Sequence, residues 1–378
     1  MKKNYFWSPH INPQIATLKS VSNSLNSLTR YEKKSKNFLI NVFGEWDEHN
    51  FINVNKINLT SNKNLKNKKF KGFINSRFLY FLIFLSSYFP LKKILVKNKP
   101  DFLIIHLITS IPILLFIFNK FKTELILRIS GYPKLNFFRF WLWKIASNKI
   151  KYVVCPTMET KDFLLKKKIF NKEQLIFIPD PILNIKKINI LKKEKLETKF
   201  EKPFYLSVGR FTKQKNHIFL INFFSENLQY LENYKLVIIG QGELERDYYK
   251  IIKDKKLDNK IEILGYKKNI FNYLYNAKCV ISCSLWEDPG FIMIESACVG
   301  TPIISSDCPS GPKEFIGKNE NGFIFNSNDE VSFKKALDEF IISSEDSINK
   351  KLINAKKRSK LYTCFYNSKK LSNIINEN

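Results

Sequence analysis

Arginine is scarce in this chain. Of 63 lysines and arginines only seven are arginine, against 34 acidic residues, so the formal charge of +29 rests almost wholly on lysine. Readers of nucleic acid use the arginine fork for bidentate contacts with bases and phosphates, and no arginine cluster occurs, so no nucleic-acid partner is expected. The charge keeps two readings: attraction to an anionic membrane surface, or the Lys-, Asn-, Ile- and Phe-rich composition of an AT-rich coding sequence. Histidine is sparse too, with four residues, and the six cysteines Cys155, Cys279, Cys283, Cys298, Cys308 and Cys364 form no metal-ligand spacing with them. No Asp-x-Asp occurs. No metal and no resident cofactor are therefore expected, and thiols within apolar runs point to a reducing, cytoplasmic setting. The opening MKKNYFWSPHINPQ is charged but lacks the apolar centre of a signal peptide. Membrane-spanning runs are missing as well: Phe78 to Phe89 is too short, and Phe102 to Phe118 is broken by His106 and Pro112.

What is present fits two domains of ordinary size in 378 residues. Short apolar runs alternate with amphipathic stretches in the βαβ rhythm of an α/β chain. In the first half the expected strands are Tyr5 to Trp7, Phe38 to Phe43, Phe102 to Leu107, Leu125 to Ile129, Tyr152 to Cys155 and Leu175 to Ile178. Pro179 to Pro181 closes this half, and the glycine-free, Lys-rich stretch Ile185 to Lys202 reads as a hinge or linker. The rhythm restarts with strands at Phe204 to Val208, Leu236 to Ile239, Ile261 to Leu264, Val280 to Ser284, Pro302 to Ser305 and Phe323 to Phe325, followed by a charged helical tail from Val331. Between the strands of the first half, Lys66 to Asn98 sets a Phe/Leu/Tyr-rich centre between basic flanks, the composition of a helix lying in a membrane interface or of an ordinary core helix with lysine ends.

The richest stretch is Trp286 to Gly317, WEDPGFIMIESACVGTPIISSDCPSGPKEFIG. A buried strand, Cys279 to Ser284, runs into Gly290, where a helix opens. Its first amides, those of Phe291 and Ile292, are free to meet an anion, and the positive dipole end favours a phosphate. Glu287 and Glu295 flank this turn, and Glu295, one turn into the helix, can accept hydrogen bonds from sugar hydroxyls. The combination suits a nucleotide sugar. Paired carboxylates also serve glycosidases, but Gly209, Arg210 and Lys215 in SVGRFTKQKN stand at the end of another strand, where the arginine fork and lysine charge fit phosphate oxygens. Cations of this kind favour transfer over hydrolysis. Gly240 and Gly242 close the next strand in a turn that fits either a ligand-facing backbone or a plain strand-to-helix turn.

The E-x7-E spacing, the GTPII strand and the Gly311-to-Glu314 Gly-x-x-Glu resemble the donor-binding region of the family 4 glycosyltransferases, retaining enzymes of the GT-B fold. The chain departs from the common Gly-Phe-Gly after the first Glu, since Asp288 and Pro289 precede Gly290. The SDCPSGPKEF run is similar to the branch that builds bacterial surface polysaccharides and lipid-linked glycans. The resemblance implies two Rossmann-like domains with a cleft between them: an acceptor domain over 1–184, joined by a C-terminal helix in 360–378, and a donor domain over 185–359. It implies transfer of a hexose or N-acetylhexosamine from a UDP-sugar to a glycan or lipid-linked acceptor, without metal, at the inner face of the cytoplasmic membrane. Arg210 and Lys215 would neutralise the leaving pyrophosphate, Glu295 would hold the ribose, Glu287 would contact the sugar near its reacting carbon, and the segment from Gly265 would read the base. His106, after Pro100-Asp101, matches a histidine projected onto the donor sugar, although a lone histidine on an apolar run is also an ordinary core residue. His10 lies where the family has a Gly-rich loop, here without glycine, and Arg128 ends another strand on the acceptor side. A sugar-nucleotide epimerase of the same plan and a non-enzymatic basic membrane- or nucleic-acid-binding protein are the rival readings.

Overall fold

The computed structural model describes residues 1–10, 16–49, 51, 53–59, 73–133 and 135–377, without the side chains of 16 and 73–79. The chain divides into two compact units, Met1–Pro181 with Cys364–Asn378, and Ile182–Thr363. These borders lie three and four residues from the expected 184/185 and 359/360. Each unit is one parallel sheet with helices on both faces, the α/β architecture expected of a Rossmann-like domain.

In the first unit, β1 (Lys2–Trp7), β2 (Ser35–Asn41), β3 (Asn55–Asn58), β4 (Phe102–Ile105), β5 (Glu124–Arg128), β6 (Ile150–Cys155) and β7 (Leu175–Phe177) pair in the order β3-β2-β1-β4-β5-β6-β7. Trp7 lies opposite Ile40 on one side and Ile105 on the other. Because side chains alternate across a strand, Tyr5 and Trp7 enter one core and Phe6 the other. The Tyr5 side is covered by α2 (Phe73–Asn98), α3 (Ser110–Phe118), α4 (Phe137–Ala146) and α5 (Met158–Lys166). The Phe6 side is covered by α1 (Ala16–Tyr31), through Leu18, Val21, Leu25 and Leu28, and by the final helix, α14 (Cys364–Asn376), through Leu371, Ile374 and Ile375. Edge strand β3, NKIN, has a single apolar residue and no alternation to mark it.

The second unit holds β8 (Phe204–Val208), β9 (Lys235–Ile239), β10 (Ile261–Ile263), β11 (Cys279–Ser282), β12 (Ile303–Ser306) and β13 (Phe323–Phe325), in the order β10-β9-β8-β11-β12-β13. Its helices are α6 (Ile185–Leu191), α7 (His217–Glu226), α8 (Glu245–Asp254), α9 (Phe271–Asn276), α10 (Phe291–Val299), α11 (Pro312–Ile316), α12 (Glu330–Ile342) and α13 (Glu345–Ser359). The expected linker over Ile185 to Lys202 is corrected here. Asn184 caps α6 by accepting the Lys187 N–H (3.3 Å), and Ile188 is buried. Asn269 and Asn272 then donate to the carbonyls of Leu191 (2.9 Å) and Lys195 (3.0 Å), so side-chain amides anchor the stretch to its own unit.

Helix α14 closes the first unit through one buried amide. Asn367 accepts from Ser24 Oγ of α1 (3.0 Å) and donates to the Pro179 carbonyl (2.9 Å). Nearby, Ser20 Oγ donates to Asp180 (2.7 Å), which also pairs with buried Arg128. Asn367→Ala strands a hydroxyl and a carbonyl away from water, and should lower the unfolding free energy of this unit by about 1–3 kcal/mol in urea titrations. An unchanged midpoint would show that water reaches the site.

Candidate functional site

A doubly wound sheet opens a crevice where two neighbouring strands send their connections to opposite sides, at the strands' carboxyl ends. In the second unit that parting falls between β8 and β11. The loop after β8 carries Gly209, Arg210 and Lys215; the loop after β11 carries Glu287 and Gly290. The fold thus unites residues 72 positions apart, as the Lys215 Nζ to Glu287 Oε1 ion pair shows.

The pair is held on all sides. Glu287 is buried and accepts a further bond from Ser284 Oγ (2.6 Å), while Ser306 Oγ at the end of β12 donates to the Ser284 carbonyl (2.6 Å). The aliphatic part of Lys215 lies over Gly209, with Cγ and Cδ 3.0 Å from where a Cβ would stand. Gln214 joins the two loops: its carbonyl accepts the Leu285 N–H (2.8 Å), its Nε2 donates to the Trp286 carbonyl (2.8 Å), and its Oε1 accepts from Arg210 (3.0 Å). Arg210 is exposed, so its remaining donors face solvent beside Lys215.

Gly290 caps α10 at φ +87°, a left-handed conformation that explains why glycine is kept where Asp288 and Pro289 replace the usual neighbours. The amides of Phe291 and Ile292 begin the helix, and Glu295, buried, follows one turn later on the same side. Gly311 serves close approach: a Cβ there would lie 2.3 Å from the Pro289 carbonyl oxygen. Glu314 stands 3.9 Å from Arg358 of α13, which makes it a brace within the unit. Gly265 belongs to the same carboxyl edge, after β10 and two strands out from β8, its carbonyl accepting the Gly240 N–H (2.9 Å). Among the described residues no three His, Cys, Asp or Glu side chains converge as a metal site.

The first unit parts between β1 and β4. There the His106 N–H bonds the Trp7 carbonyl (2.9 Å) and the Trp7 indole donates to the Ile108 carbonyl (3.2 Å). The His106 ring is buried and stacked on Phe6, and burial, then the Arg128 charge, holds its pKa well below the ordinary value. His106 and Arg128 line one narrow cavity with Ser24 and Asn367. Arg128, expected on an acceptor-side rim, is instead buried against Asp180. His10 sits edge-on to Trp46 at 4.7 Å, and burial together with His49 lowers its pKa to about 4. Glu45, which no motif marks in the sequence, accepts the Val42 and Phe43 amides with its carboxylate (3.1 and 2.9 Å), and burial raises its pKa to about 7.

Gln214, Ser284, Ser306 and His217 are likewise unmarked by any motif. Gln214 is hidden in a Lys-Gln-Lys run that reads as solvated surface, and the serines end strands without any motif. Buried His217 opens α7 with Nδ1 3.2 Å from Ser207 Oγ, which donates to the Ile281 carbonyl (2.9 Å).

Residues 189–359 match the family model described as Glycosyl transferases group 1. An uncharacterized glycosyltransferase of Methanocaldococcus jannaschii is 31% identical over 251 residues, 60% of this chain and 61% of that protein. A Campylobacter jejuni protein named GalNAc-alpha-(1->4)-GalNAc-alpha-(1->3)-diNAcBac-PP-undecaprenol alpha-1,4-N-acetyl-D-galactosaminyltransferase is 27% identical over 282 residues, 72% of this chain and 74% of its own length. The match to the first relative thus spans less than two thirds of it. Anabaena HepE, solved in complex with UDP, superposes with a TM-score of 0.70 at 12% identity, covering 100% of both chains; at that identity it shows the fold alone, that of the GT-B glycosyltransferases.

His217 generates a pH prediction. Burial, then the Lys215 charge, lowers its pKa from 6.5 to about 3. Between these values the unfolded chain binds a proton that the folded one refuses, so stability present above 6.5 is lost as pH falls, by up to about 1.4 kcal/mol per unit. His217→Asn should flatten that slope in urea titrations between pH 6.5 and 4.5; an unchanged slope would show that the ring is not held neutral.

Proposed function

Because residues 189–359 form a domain of the glycosyl transferases group 1 family, we propose that this chain is a glycosyltransferase that moves a hexose or N-acetylhexosamine from a UDP-sugar to a hydroxyl of a lipid-linked glycan. The observation that carries the reading is the Lys215–Glu287 pair at the β8/β11 parting, with Arg210 tethered beside it and the start of α10 opposite. An ammonium, a guanidinium and the first amides of α10 stand on the two loops of this parting, and groups of these kinds suit a diphosphate. The choice of UDP and of a lipid-linked acceptor is supported by the ligand in the HepE structure and by the acceptor in the name of the Campylobacter relative.

In this mechanism the bond between the anomeric carbon and the β-phosphate oxygen breaks, and its electron pair leaves with the phosphate. Lys215, Arg210 and the first amides of α10 stabilise the charge that develops there. The acceptor oxygen bonds the anomeric carbon, and its proton passes to the departing phosphate oxygen, so no separate base is required. Retention of configuration is part of this reading, as the resemblance to the family 4 enzymes implies. Glu287 orients Lys215 and faces the sugar, and Glu295 accepts from the ribose hydroxyls. The cations and helix dipole do the neutralising that a divalent ion does elsewhere, so the reaction runs without metal. His106 on the donor sugar and His10 on the acceptor side are part of the same reading, and both rings, buried in the first unit, would have to be uncovered to take those roles.

Glu295→Ala should weaken UDP binding about 10–100-fold in calorimetric titration, with an unchanged melting temperature. Lys215→Gln should lower kcat by at least about 100-fold, and wild-type turnover in it would end the proposed role. Gln214→Ala, which frees Arg210 without removing a charge, should raise the donor KM about 3–10-fold and leave kcat nearly intact. Excess chelator should leave the rate unchanged; loss of activity restored by a divalent ion would refute metal independence. Release of UDP only when acceptor is present separates transfer from epimerisation.

A further inference from the structure

The helical layer over one face of the first unit turns its aromatic residues outward. In α2, Ile83, Ser87, Leu91 and Leu95 recur every four residues and are buried toward the sheet. Phe81, Leu85 and Phe89 each precede one of these by two residues, about 200° round the helix, and are 55%, 54% and 72% exposed. Helix α4 repeats the arrangement: Trp143 and Ala146 point inward, while Phe137, Trp141 and Ile145 point outward with Phe138, itself 81% exposed. The Phe137 ring lies 5.9 Å from Phe138 and 6.3 Å from Trp141, a ring cluster standing in solvent. Helix α3 packs between α2 and α4. All three return between parallel strands, so they run in one direction, with α3, which exposes Phe118, between the two stripes. Among the described residues, five of the six exposed phenylalanines and the exposed tryptophan are on this layer; the sixth is Phe365 on α14.

Charge decides what can cover such a face. Helices α2, α3 and α4 contain no acidic residue, whereas α2 carries Lys92, Lys93 and Lys97 and α4 carries Arg139 and Lys144. A second copy seated face to face would oppose cation to cation. An anionic surface with an apolar interior complements both features, since aromatic rings settle at the headgroup boundary and lysines meet lipid phosphates. Among the described residues no helix is long and apolar enough to cross a membrane, so the layer would lie on a bilayer and not through it.

We propose that the outward stripes of α2 and α4 form a docking surface for an anionic lipid bilayer. The docking stands on the layer alone; only its purpose, bringing the chain to a lipid-linked acceptor, rests on the transfer reading above.

The test is flotation of the full chain with phosphatidylcholine vesicles with and without phosphatidylglycerol, in the absence of donor and acceptor. Wild type should float with the anionic vesicles and be released by high salt. Phe137→Ser with Phe138→Ser, and separately Phe81→Ser with Phe89→Ser, should each reduce the bound fraction about tenfold or more while the melting temperature holds. Changing Lys92, Lys93 and Lys97 to Gln should abolish the preference for anionic lipid. Val331→Ser with Ile342→Ser, at exposed apolar positions of α12, should float as wild type does. Failure of wild type to bind, or full binding by both aromatic variants, overturns the proposal. So does a dimer that both variants render monomeric with vesicle binding unchanged, which would assign the face to a second copy. Loss of UDP binding with normal flotation would count against the transfer reading only.

Discussion

The carboxyl edge of the second unit is organised by a part-buried ion pair placed where its sheet divides. Two charges withdrawn from water are tolerated only when each is matched and hydrogen-bonded, and removal of either leaves the other stranded. Lys215 and Glu287 meet that condition through Ser284, which is itself held by Ser306, and through Gln214, which fastens the β8 loop to the β11 loop. The pair therefore does more than join two loops. It holds an ammonium near a helix start in the unliganded fold, which under the transfer reading would leave little reorganisation for the reaction to drive.

The two units follow one plan and fill it differently. At the β1/β4 parting of the first unit the ring of His106 is neutral, stacked and enclosed, and the cation beside it, Arg128, pairs with Asp180. Buried charge there works for architecture, holding α1 against the segment after β7, with Asn367 of α14 adding an amide to the same seam. At the β8/β11 parting charge lies beside an exposed arginine and the first amides of a helix, groups whose chemistry suits an anion. A shared order over six strands thus leaves the chemistry to a few side chains at the strand ends.

The legible parts of the chain were those where one physical demand dominates the sequence. All six strands of the second unit are apolar and β-rich because helices cover both faces, and each lies within two residues of its expected place. The E-x7-E spacing and the strand-end Gly-Arg were legible because backbone turn and charge coincide there. Strand β3 was not, since an edge strand can be polar and only tertiary pairing reveals it. Helix α6 was hidden by its lysines, which suggested a linker although Ile188 is buried. Gln214 could not be read at all: an amide bridging two loops depends on contacts 72 positions away, and no local pattern records them.

The lysine excess illustrates the same limit from the other side. A formal charge of +29 cannot separate a membrane-binding protein from one of biased composition. Many of these lysines have ordinary tasks, such as pairing Lys151 with Glu124 or Lys334 with Asp338, or completing the last turn of α13 against its dipole. What distinguishes α2 and α4 is where their aromatic rings point. Phe137 and Trp141 look, in sequence, like any core residues, and only the inward turn of Trp143 and Ala146 shows that the others have been left outside. Exposed rings are costly in water, and a face that keeps them beside lysines and without a carboxylate matches the boundary between lipid phosphate and acyl chain better than it matches bulk solvent.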